Sequence, residues 1–108
     1  MARIPTRFHG PAQVSNVAAT KYTVAVAEKI ELRNIHISNP SGSAVTFTLS
    51  IGTDAAAVRL FDAYSIPANS ILNHFCYHTV DAAEIIQALA GTNNVLVLVL
   101  SGTRLVLG

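Results

Sequence analysis

The stretch "AVTFTLSIG", Ala44 to Gly52, sets Val45, Phe47, Leu49 and Ile51 on one parity and Ala44, Thr46, Thr48 and Ser50 on the other. Period two over that length reads as a half-buried β-strand with one apolar face and one face of hydroxyls and a methyl. The polar face carries no carboxylate, imidazole or thiol. Immediately upstream, "KIELRNIHISN" (29–39) reads as a longer strand in which Ile30 and Leu32 share one parity while Ile35 and Ile37 share the other. That change of phase requires a bulge or bend between them. "NPSGS" (39–43) is a turn by composition, because Pro40 presets its own φ, Gly42 permits a positive one, and Asn and Ser side chains bond to nearby backbone. It is expected to join the two strands as a hairpin.

The pattern continues outward. "YTVAVA" (22–27) and "VRLF" (58–61) are short strands, and "YSIPANS" (64–70) reads as a connection between two sheets, since Pro67 cannot donate to a central ladder. "ILNHFCYHTV" (71–80), "EIIQALA" (84–90), "VLVLVL" (95–100) and a final "RLVLG" (104–108) follow, with "GTNN" (91–94) as a second strong turn. One alternative is a helix over 81–91, where Ala and Leu favour helix and Gly91 suits a C-cap. Seven or eight strands at spacings of about ten residues predict an all-β, single-domain antiparallel β-sandwich, with a jelly roll among its topologies. The unbroken apolar run Val95 to Leu100 argues for a strand covered on both faces, which a subunit interface would supply.

Residues 1–20 contain Pro5, Gly10 and Pro11 and show no sustained apolar period, so they read as an extended N-terminal arm outside a sandwich domain of residues 21–108. The arm holds Ile4, Arg7, Phe8 and Val14 as candidate contacts with a partner. Its prolines would reduce the entropy lost on docking. Such an arm could be removed without loss of the fold.

Charged residues make up 12% of the 108-residue chain and hydrophobic ones 51%, so the charged share is about half that of ordinary soluble domains. A formal charge of +1 provides no overall pull toward nucleic acid or an anionic membrane. Cys76 is the sole cysteine, so no intrachain disulfide forms, and the reducing cytosol is the expected compartment of synthesis. No apolar run approaches the roughly 20 residues of a membrane helix, and no signal-peptide core is present, which predicts a soluble chain without a cleaved signal.

The sharpest chemical candidate is "HFCYH", in which His74, Cys76 and His78 share one strand face. Two of these could bend together, but the third would reach a common ion only if the strand were irregular. Asp81 and Glu84 lie just beyond. The metal-binding cupins share the jelly-roll form but carry a His-x-His pair followed closely by Glu, whereas the pair here is His74-x-x-x-His78. Partly buried or interface-facing side chains are therefore the preferred reading, with no metal or cofactor expected. Ser65, Ser70 and Cys76 lie in no nucleophile elbow, and "SNPSGS" lacks the Lys of a phosphate loop. The charged residues Glu31, Arg33, Asp54, Arg59, Asp62, Asp81, Glu84 and Arg104 are scattered singly, with no glycosidase-like pair. A sugar-binding sandwich ordinarily exposes flat aromatics, and this chain has no Trp and only Tyr22, Tyr64 and Tyr77.

From Tyr22 to Ser101 the chain resembles a group of small tailed-bacteriophage virion proteins. The similarity rests on Tyr22–Val24, on "RNIHISN" (33–39), on the Thr/apolar alternation of Ala44–Ile51, on "IPA" (66–68), and on "AAEI" (82–85), where Ala83 stands in place of the group's usual Gly. The resemblance implies a non-enzymatic β-sandwich built into a phage particle. A capsid decoration (cement) protein, a homotrimer bound to the major capsid protein, is the leading expectation; a tail, collar or fibre-attachment component is the alternative. A carbohydrate-binding module and a cupin-like metal protein are the rivals from other classes.

Overall fold

Eight strands divide equally between two antiparallel sheets in a computed structural model that describes residues 2–106. They are β1 (Ala2–Gln13), β2 (Ala19–Thr23), β3 (Glu28–Asn39), β4 (Val45–Ile51), β5 (Arg59–Ile66), β6 (Ser70–Val80), β7 (Ile85–Ala90) and β8 (Val97–Val106). One sheet has the order β1-β8-β3-β6 and the other β2-β7-β4-β5. The pairs β1·β8, β2·β7, β3·β6 and β4·β5 nest like the rungs of one long hairpin, and successive rungs alternate between the sheets. This is the jelly-roll order, so the expected β-sandwich takes that topology.

The core is the apolar parity of each strand. Ile30, Leu32, Ile35 and Ile37 of β3, Phe47 and Leu49 of β4, and Leu98 and Leu100 of β8 are all wholly buried between the sheets. The phase change in β3 is accommodated as its sequence requires: the register shifts between Leu32 and Asn34 against both β6 and β8. Gly102 of β8 lies against this irregularity, and a Cβ there would sit 1.9 Å from the Glu31 carbonyl oxygen. Only a residue without a side chain lets the two backbones approach so closely.

Several expectations are revised by the tertiary structure. Residues 2–13 are not an arm outside the core but strand β1, paired along β8 from Ala2↔Val106 to Gln13↔Val97. Register shifts between Arg7 and His9 and between His9 and Ala12 break the alternation that would have revealed a strand. Gly10, at φ 79°, fits a site where a Cβ would meet the Leu98 carbonyl oxygen at 2.0 Å. The turn at 39–43 is real, but it connects β3 in one sheet to β4 in the other, so the two do not pair as a hairpin. The buried Asn39 side chain holds this corner, donating to the carbonyls of Ser43 (2.9 Å) and Ile66 (3.0 Å) and accepting from Ser41. It thereby ties the β3–β4 corner to the β5–β6 corner. The helix alternative over 81–91 gives way to β7, whose burial alternates strictly.

The apolar run at 95–100 and the "RLVLG" segment belong largely to the single strand β8, and the last two residues of that segment lie outside the described residues. Leu96, Leu98 and Leu100 enter the core, whereas Val97 and Val99 stand half-buried on the opposite parity, the outer face of the sheet. Within one chain the run is therefore covered on one side by the second sheet and on the other only by its neighbours.

Candidate functional site

Two features stand out on the β1-β8-β3-β6 sheet, both on its edge strand β6. The odd-numbered residues of β6 point outward: Ile71 is 65% exposed, Phe75 77% and Tyr77 60%. With Val97 and Val99 two strands away they make the outer side of this sheet partly apolar. The even-numbered residues Leu72, His74, Cys76 and His78 point inward toward the mouth between β6 and β5. There His74 meets the Phe61 ring edge-on at 5.1 Å. A cleft of about 270 Å³ adjoins it, lined by Leu60, Phe61, Asp62, Tyr64, Leu72 and His74.

Charges that look isolated in the sequence are gathered by the fold. On the outer face Glu31 is almost wholly covered and accepts from Arg3 at 3.0 Å and from the Tyr77 hydroxyl. Arg33 lies over the Tyr77 ring, 5.0 Å from its centroid. The Tyr77 hydrogen bond, followed by the field of Arg3, holds the Glu31 carboxyl below the usual carboxylate range, and the same bond pushes the Tyr77 phenol up. A second cluster braces the β4–β5 connection: Arg59 donates to both oxygens of Asp54 at 3.0 Å, and Ser50 donates to Asp54 at 2.6 Å. These bonds hold the Asp54 carboxyl down to about 2. Arg59 also donates to Asp62 at 3.0 Å, so its guanidinium stands between two carboxylates, and both clusters fix side chains in place.

The partner-contact candidates separate into two groups. Phe8 (7% exposed) and Val14 (0%) are part of this chain's own core, Phe8 packing on Tyr22 with ring centroids 4.9 Å apart. They are therefore not available to a partner while the sandwich is intact. Ile4 and Arg7 are exposed on the edge strand β1. Phe75 and Tyr77 lie in the "HFCYH" stretch whose side chains read as partly buried or interface-facing, whereas the exposed Ile71 was missed by sequence reasoning, although a signal existed: both parities of "ILNHFCYHTV" carry apolar residues.

His74, Cys76 and His78 are brought together. Their ligand atoms all lie within 4.8 Å of one another. The strand irregularity that such convergence demands is present, since Cys76 and Tyr77 of β6 lie across from the single residue Arg33 at the β3 register shift. Burial pushes the Cys76 thiol up, and nearby Arg33 partly opposes that. Asp81 and Glu84 do not join the cluster: Asp81 faces Lys29 at 3.5 Å, and Glu84 accepts from the Asp81 backbone in the turn before β7. Ser70 donates to the Pro67 carbonyl.

No protein-family model matches the chain, and no curated protein matches it. A solved structure of infectious bursal disease virus Gt strain is similar over 96% of this chain and 29% of that one, at 8% identity and a TM-score of 0.35. This chain thus spans less than a third of that protein's length, and a likeness of this degree carries no argument about role. No helix among the described residues is long and apolar enough to cross a membrane.

Proposed function

We propose that this chain is a non-enzymatic structural component of a bacteriophage virion, a capsid decoration protein that binds the major capsid protein as a trimer. The observation that carries the reading is the outer face of the β1-β8-β3-β6 sheet, where Ile71, Phe75 and Tyr77 are largely exposed beside half-buried Val97 and Val99. Exposed apolar surface of this kind is characteristic of a protein–protein contact. The resemblance of residues 22–101 to tailed-phage virion proteins supports the choice of partner. Of the N-terminal candidates, Ile4 and Arg7 would contribute at the β1 edge. In this reading the tight Glu31–Arg3–Tyr77 cluster keeps the contact surface rigid before assembly.

The test combines native mass spectrometry with binding to capsids that lack the chain. Phe75→Asp should abolish capsid binding while circular dichroism shows an unchanged sandwich; undiminished binding would refute the outer face as the contact. Copy number separates the capsid from the tail or collar alternative, on the order of hundreds per particle against a dozen or fewer, by symmetry. A second reading has one observation in its favour: exposed Phe75 and Tyr77 could also serve as a platform for a sugar ring. Hits on a glycan array that are lost in Phe75→Ala would favour it.

A further inference from the structure

Strand geometry alone would keep His74 and His78 apart. At about 3.3 Å per residue their Cα atoms lie about 13 Å from each other along a straight strand. Their ring nitrogens and the Cys76 sulfur nonetheless fall within 4.8 Å of one another. Around a tetrahedral zinc ion, with bonds of about 2.0–2.1 Å to nitrogen and 2.3 Å to sulfur, neighbouring donors stand roughly 3.3–3.6 Å apart. The remaining contraction is within the reach of side-chain rotation on an edge strand.

We infer that His74, Cys76 and His78 form a three-ligand site for a zinc-type divalent ion, its fourth position left to water or another donor. Two imidazoles and one thiolate suit a borderline-soft ion, whereas magnesium and calcium require oxygen ligands. The donors are free to serve. Among the described residues neither the His74 nor the His78 ring makes a hydrogen bond, and the Cys76 sulfur makes only a weak one, 3.4 Å from the Leu32 carbonyl oxygen. His74 lines the cleft between β5 and β6, so one of the three donors stands at an open surface. On binding, the Cys76 thiol loses its proton to solvent as the sulfur–metal bond forms. The ion would clamp β6 where its pairing with β3 is irregular. The inference stands on these three side chains and is independent of the virion reading.

The experiment uses the full chain, reduced, stripped with chelator and titrated with Co²⁺. Because Cys76 is the only cysteine, a thiolate-to-cobalt charge-transfer band can come from no other residue. The expected result is that band together with tetrahedral ligand-field absorption, saturating at one equivalent and erased by Zn²⁺. His74→Gln and His78→Gln should each weaken Zn²⁺ binding at least 10-fold in chelator competition, while His36→Gln, outside the cluster and bonded to Asn73, leaves it unchanged. Absence of the band at saturating Co²⁺ overturns the site. Equal affinity in wild type and both His variants overturns it as well.

Discussion

Replacing Gly102 with Ala tests the central packing argument. The added Cβ would lie 1.9 Å from the Glu31 carbonyl oxygen and 3.0 Å from the Arg33 nitrogen. Both are backbone atoms of β3, so no side chain can rotate away, and the two strands must separate. Gly102 does not have a positive φ, which leaves the steric clash as the whole effect. Overpacking that side chains can absorb costs about 1–3 kcal/mol. Weakening two flanking ladder hydrogen bonds adds about 1 kcal/mol each, for a total of roughly 3–5 kcal/mol. With a urea slope near 1.5 kcal/mol/M, the unfolding midpoint should fall by roughly 2–3 M. Gly42→Ala is the matched control: nothing lies within 4 Å of its Cβ position, and its midpoint should stay close to wild type. A Gly102→Ala protein within about 0.5 kcal/mol of wild type would refute the close approach of β3 and β8 as described.

Ala83 has φ 67°, the left-handed region that alanine adopts only at a cost. Ala83→Gly should therefore stabilise the fold by about 0.5–1 kcal/mol, the relief of a left-handed alanine less the added freedom of the unfolded chain, read as a higher melting temperature. Deleting residues 2–13 should unfold the protein, because it removes the edge partner of β8 and the buried Phe8; a deletion variant that melts cooperatively near the wild-type temperature would contradict this role. Asp54 is depressed in the folded state, so its stabilising contribution is complete above about pH 4 and lost as pH falls toward about 2. Urea midpoints at pH 5 and pH 2 should accordingly drop further in wild type than in Asp54→Asn, and equal drops would remove Asp54 from the acid response.

Much of the fold was legible because alternation and turn chemistry are local. "AVTFTLSIG" shows its apolar core positions without any knowledge of its neighbours, although Thr48 and Ser50 of its hydroxyl face are buried as well, and the clash of parity between Ile30–Leu32 and Ile35–Ile37 announces the β3 irregularity before a partner strand is known. The N-terminal strand was hidden for the same reason in reverse. Two register shifts around Gly10 and Pro11 erase its period, and only β8, which pairs with it, reveals it as a strand. The candidate sites were less legible still. Glu31 is 28 residues from Arg3 and 46 from Tyr77, separations at which no local pattern signals contact.

The amino-acid sequence by itself determined the all-β class, the sites of the main turns, the alternating core positions and the poverty of charge. These follow from side-chain chemistry at spacings of two to five residues. Tertiary structure alone decided which sheet each strand joins, that Phe8 and Val14 face inward in their own chain, and that β6 presents its aromatics to solvent and its histidines to the sandwich mouth. Both parities of β6 are partly apolar, so the period is visible in the sequence but its phase is not. That phase is set by which face packs against β5, and the burial of residues distant in the chain makes the choice.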